Sequence, residues 1–154
     1  MEQRRTTVQK TGTYYGIMTG IAAIVYMVII KLLGLIENVS LHFVTGIILV
    51  IGVVMAIKSH KQKKDGNLNY LEGIGVGFVV GLVAAILFTI FQLLADSVFN
   101  LAMSYPYMAD DAYGEGGSIG LMAILWILFG SVIGTFVGYL AMQFFKRPDH
   151  KMSN

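Results

Sequence analysis

The chain contains no cysteine, and only 13% of its 154 residues are charged. Without cysteine there is no disulfide framework, and no thiolate is available as a metal ligand or nucleophile. An ordinary soluble domain carries about 25% charged residues. Half that density cannot cover the surface of a water-soluble globule of this size. A cytosolic enzyme, a nucleic-acid binder and a disordered chain are therefore excluded. Enzyme templates are missing as well. There is no HExxH zinc motif, and His42, His60 and His150 fall in separate segments. Gly130–Ser131–Val132–Ile133–Gly134 lacks the GxSxG spacing of a nucleophile elbow. No glycine-rich phosphate loop precedes a Lys-Ser/Thr pair, and no carboxylate pair lies at membrane depth.

What is present is apolar. Hydrophobic residues make up 56% of the chain, and the mean hydropathy is +0.71. Four stretches escape charge for long enough to cross a bilayer, which takes about 20 apolar residues. They run over residues 13–36, 41–57, 73–95 and 119–145. None alternates with period two, so each is expected to be helix, the form that satisfies its own backbone in lipid. The expected fold is all-α: one polytopic membrane domain of four transmembrane helices. Arg4, Arg5 and Lys10 precede the first span in the manner of a secretory signal. With no small-x-small cleavage site and a long apolar run, an uncleaved first helix is expected instead.

Basic residues orient the chain. Lys58, Lys61, Lys63 and Lys64 fill the predicted loop 58–72, and Lys146, Arg147 and Lys151 follow the last span. With the N-terminal three, ten of eleven basic residues share one side, which the positive-inside rule makes cytoplasmic. Both termini are thus expected inside. Glu2, Asp65, Glu72 and Asp149 reduce that side to a net +6. The other side holds Glu37, Asp96, Asp110, Asp111 and Glu115 against Lys31, a net −4, with most of the acid in a predicted external loop 96–118. The overall charge of +2 is what two opposed faces leave. Tyr14, Tyr15, Tyr70, Phe144 and Phe145 mark the inner interface, and Phe43, Phe99, Tyr105 and Tyr107 the outer one.

Small residues recur at a spacing of four, which places them on one helix face. Gly12, Gly16 and Gly20 do so in the first span, Gly73, Gly77 and Gly81 in the third, and Gly130, Gly134 and Gly138 in the fourth. Internal packing of one bundle is the preferred reading, and a homo-oligomer through one such face is the alternative. Tight contact is expected in the inner half of the membrane and looser, bulkier packing outside. Matching Gly12, Gly16 and Gly20 to Gly73, Gly77 and Gly81 also aligns Lys31 with Gln92, a faint sign of a duplicated hairpin.

Four polar residues are candidates for function. Lys31 is the charge inside a predicted span, about 28 Å along the helix from Gly12. At that depth its stem can snorkel, or it can pair with Asp96 or Gln92 on the third span; a solute or proton role is the alternative. Glu72 opens the third span beside Asn69, whose side chain is expected to cap the first turn. A coupling-ion carboxylate is the alternative for Glu72. Oxygen ligands in the acidic loop lack an EF-hand spacing, so no metal site is assigned. The basic loop can meet anionic lipid heads, although topology alone accounts for it.

From Ile48 to Ala85 the chain resembles a known family. An apolar helix ends in Ala56–Ile57–Lys58, and a Lys-rich loop with Gly66 follows. Tyr70–Leu71 and Glu72–Gly73 then lead into a helix with Gly77 and Gly81. This pattern is similar to the domain of unknown function 4199 family, small four-helix bacterial membrane proteins found mainly in Bacteroidota. The resemblance implies a bacterial inner membrane and carries over no catalytic residue and no cofactor. The region after Asp96 departs from the family's pattern. The expected role is a non-enzymatic accessory or structural component of the inner membrane, with the lipid bilayer and another membrane protein as partners. The alternative is a homo-oligomeric channel or small-solute transporter. Small multidrug exporters need a carboxylate midway along the first helix, and this chain has none there.

Overall fold

The computed structural model describes residues 7–35, 38–64, 68–98 and 115–145. They form four helices: α1 (Val8–Leu32), α2 (Val39–Lys63), α3 (Tyr70–Ser97) and α4 (Glu115–Phe145). Each is long and apolar enough to cross a membrane. At 1.5 Å per residue, even the 25-residue helices reach about 37 Å, beyond a hydrocarbon core of about 30 Å.

The helix ends have local causes. The first span, expected to run to Ile36, stops at Leu32 because Gly34 takes a left-handed φ of 69°. The Gly34 N–H donates to the Lys31 carbonyl at 3.0 Å and the Leu35 N–H to the Ile30 carbonyl at 2.9 Å, a Schellman closure that suits a glycine. Asn38 starts α2, its Oδ1 accepting from the Ser40 N–H at 3.1 Å. The second span, expected to end at Ile57, continues as helix to Lys63. Hydropathy stops at the first lysine, but lysine and glutamine are good helix formers. Lys61 and Lys63 also place positive charge at the negative end of the helix dipole. The predicted loop 58–72 therefore shortens to the link between Lys63 and Tyr70. Asn69 precedes α3 in extended conformation, but its side chain makes no capping bond, contrary to expectation. Its carbonyl accepts from the N–H groups of Glu72 and Gly73 at 3.1 and 3.2 Å.

α3 is the centre of the bundle, with its most extensive contacts to α4 and then α1, while α2 touches all three others. α1 and α4 share no contact among the described residues. The glycine faces explain why α3 can be so closely flanked. A Cβ on Gly77 would strike the Gly134 carbonyl oxygen and one on Gly81 the Gly130 carbonyl oxygen. A Cβ on Gly138 would lie 3.3 Å from Gly77 Cα. On its other side α3 meets the α1 glycines through larger side chains. Cβ atoms on Gly12, Gly16 and Gly20 would sit 2.6, 2.7 and 3.2 Å from the Cβ atoms of Val79, Val83 and Leu87. All three small-residue faces are thus occupied inside one chain.

Two apolar clusters follow. The larger gathers Val53, Ala56, Ile57, Val76, Val80 and Met142 towards the end where α2 finishes and α3 begins, called the basic end below. The smaller, Ala23, Met27, Ile30 and Phe88, lies towards the opposite end. There the Tyr26 hydroxyl donates to the Leu41 carbonyl at 2.9 Å, tying α1 to the start of α2.

Candidate functional site

Polar chemistry concentrates at the basic end, where α1, α2 and α3 meet. Val53, Ala56, Ile57 and His60 occupy positions i, i+3, i+4 and i+7 of α2, so the apolar stripe of that helix carries His60 inward. His60 is fully buried, the one titratable side chain in that state among the described residues. Its Nδ1 lies 3.2 Å from Oγ1 of buried Thr11 on α1. Its Nε2 is buried without a partner. Across the α2–α3 link, Lys64 Nζ donates to Glu72 Oε1 at 2.6 Å, leaving Glu72 Oε2 buried and unpartnered. Lys63, Lys64 and Glu72 are the charges close enough to act on the His60 ring. Beyond this junction Tyr70 meets Tyr139 of α4 edge to face, ring centroids 5.8 Å apart.

Of the four polar residues singled out in the sequence, Glu72 belongs to this cluster. It is an ion-pair partner rather than only a first-turn carboxylate. The other three lie towards the opposite end. Lys31 is half-buried in the last turn of α1, and Gln92 is buried on α3. The side chain of Asp96 is outside the described residues, as are residues 99–114 of the acidic loop. Gly12, Gly16 and Gly20 sit against residues 67 positions later, so Gln92 lies level with Val25. Lys31 is thus about 9 Å further along the bundle than Gln92.

A family model for proteins of unknown function, DUF4199, matches residues 14–105. The chain belongs to DUF4199. No curated protein and no solved structure matches it. The DUF4199 match takes in α2, α3 and all of α1 from Tyr14, and with them His60, Lys64 and Glu72; Thr11 and α4 lie outside it.

This DUF4199 protein has a second feature that its sequence did not reveal. A cleft of about 310 Å³, open to the surface beside exposed Phe43 and Phe129, lies among the four helices and is lined by residues that include Thr19, Thr45, Ala84 and Trp126. Phe88 and Trp126 meet there edge to face, 6.0 Å between centroids. Three hydroxyls, that of Thr19 in the wall and those of Ser131 and Thr135 on α4, are turned back onto their own helices. Thr19 donates to the Tyr15 carbonyl, Ser131 to that of Ile127 and Thr135 to that of Ser131, each at 2.7 Å. Thr45 Oγ1 in the wall, and Thr89 Oγ1 on α3, are buried without partners. His60 could have been found from the i, i+3, i+4, i+7 stripe. Its partner Thr11 is 49 residues away, so no local pattern announces the pair.

Proposed function

We propose that this protein is a non-enzymatic accessory or structural component of a bacterial inner membrane, with both termini and the basic end in the cytoplasm. One observation carries the reading. The small-residue faces through which membrane helices associate most closely are already engaged between α1 and α3 and between α3 and α4. An oligomeric pore built through those faces would have to take the bundle apart. The hydroxyls of Thr19, Ser131 and Thr135 support the same reading, since each is already engaged by a carbonyl of its own helix. What the protomer offers a neighbour is its outer apolar surface, including Ile17, Ile21 and Val25 on α1 and Phe129, Val132 and Phe136 on α4.

The cleft favours a second reading, passage or binding of a small apolar solute, because ligand sites are typically apolar spaces of about 300–1,000 Å³ with a few polar groups. Reconstitution separates the two. Purified protein in proteoliposomes is expected to give no flux above empty vesicles across a panel of ions and apolar solutes. In gentle detergent extracts it is expected to be recovered with a membrane protein in fixed stoichiometry. Protein-dependent flux that Ala84→Leu abolishes would replace the accessory role with transport.

A further inference from the structure

The unpartnered atoms at the basic end point to a ligand. A buried polar atom left without a hydrogen bond costs about 1–3 kcal/mol, so two in one junction call for a shared partner. His60 Nε2 and Glu72 Oε2 are such atoms, on α2 and α3 at the same end of the bundle, and Glu72 is among the charges that act on the His60 ring. Their chemistry restricts what satisfies both. If Nδ1 carries the proton and donates to Thr11, Nε2 is an acceptor, and ionised Glu72 offers acceptors alone. One water molecule has two O–H donors and meets both. If Nε2 carries the proton instead, it donates to the water oxygen, and the water still donates to Oε2.

We propose that the α1–α2–α3 junction binds one water molecule bridging His60 Nε2 to Glu72 Oε2, and that this bridge makes His60 a proton-binding site connected to solvent through the Glu72–Lys64 pair. The charges that act on the imidazole are Lys63 at the end of α2, Lys64 just after it and Glu72 from α3, and the uncharged Thr11 meets it from α1. Lys64 and Glu72 side chains are 33% and 27% exposed, so this pair forms the wet edge of an otherwise closed junction. With the ring proton on Nδ1, a proton arriving from hydronium at that edge passes to the bridging water, which releases its own proton to Nε2. The imidazole becomes imidazolium, with no other bond made or broken. An unperturbed imidazole titrates near neutrality; here burial, Lys64 and Lys63 oppose the charged form and Glu72 favours it.

The test is nitrogen NMR of the intact protein, with ¹⁵N-labelled histidine, in lipid nanodiscs between pH 8 and 5. His60→Gln identifies the His60 signal among the three histidines. The expected result is a single His60 titration and a cross-peak from its ring proton to water. Glu72→Gln removes the carboxylate that favours imidazolium and is expected to weaken proton affinity about threefold or more. Lys64→Met removes a repelling charge and is expected to strengthen it by a similar factor. Thermal unfolding of each variant in the same nanodiscs confirms that the bundle persists. A His60 ring that does not titrate in this range, or titrates identically in wild type, Glu72→Gln and Lys64→Met, overturns the proposal. So does a titrating ring with no water contact.

Discussion

Replacing Gly134 by alanine tests the α3–α4 contact where the two backbones meet. A Cβ at Gly134 would strike the Gly77 carbonyl oxygen and stand 2.8 Å from Gly81 Cα, against the 3.4 Å at which ordinary contact begins. The helices must therefore part by at least 0.6 Å, the difference between those two distances. Both obstacles are backbone, so no side chain can rotate away. Overpacking of a close-packed interior costs about 1–3 kcal/mol, and rigid obstacles place this case near about 3. Alanine's better helix propensity returns about 1 kcal/mol, leaving a net loss of about 2 kcal/mol. That is close to a thirtyfold fall in the folded ratio. Gly46→Ala is the control, because a Cβ there meets nothing within 4 Å. It is expected to be neutral or to stabilise by about 0.5–1 kcal/mol. Reversible unfolding in bicelles by steric trapping reads both differences. Gly134→Ala within about 0.5 kcal/mol of wild type, or Gly46→Ala equally destabilised, would refute the packing argument.

Gly34→Ala forces an L side chain into left-handed backbone at the end of α1 and is expected to cost about 1 kcal/mol in the same assay. An unchanged stability would show that the turn does not depend on that conformation. Thr45→Val replaces a buried hydroxyl that has no partner and is expected to gain up to about 1 kcal/mol; a loss instead would mean that the hydroxyl is bonded in the folded protein. Orientation is read by single cysteines, since the chain has none of its own. Asn38→Cys is expected to react with a membrane-impermeant maleimide in intact spheroplasts, and Lys63→Cys only after lysis. The reverse pattern would invert the proposed topology.

How much of this was legible in the sequence follows from what each feature depends on. Helices were legible because lipid offers the backbone no other partner, so a long uncharged run is nearly sufficient. Their ends were less so. The end of α1 depends on the backbone conformation of Gly34 rather than on hydropathy, which continues through Leu35 and Ile36. The end of α2 lies beyond the apolar run, where charge and helix coexist. Glycine spacing marked the faces of α1, α3 and α4. It did not say which would meet, because Gly77 against Gly134 and Gly16 against Val83 are tertiary choices. Glu72 was legible as a helix-start carboxylate, and its bond to Lys64 required the chain to turn through the α2–α3 link. Along the chain the three histidines are far apart and none stands out, whereas around the helix His60 continues the stripe of Val53, Ala56 and Ile57.

The central claim is that the glycine faces are used within one chain, and a disulfide reads it most directly. Gly20→Cys and Leu87→Cys together place Cβ atoms 3.2 Å apart on α1 and α3, close to the roughly 3.5–4.5 Å that a disulfide spans. Oxidation in native membranes is expected to leave a monomer that has lost both thiols to maleimide labelling and recovers them on reduction. A covalent dimer in place of that closed monomer would show that these faces join separate chains, and would contradict the account.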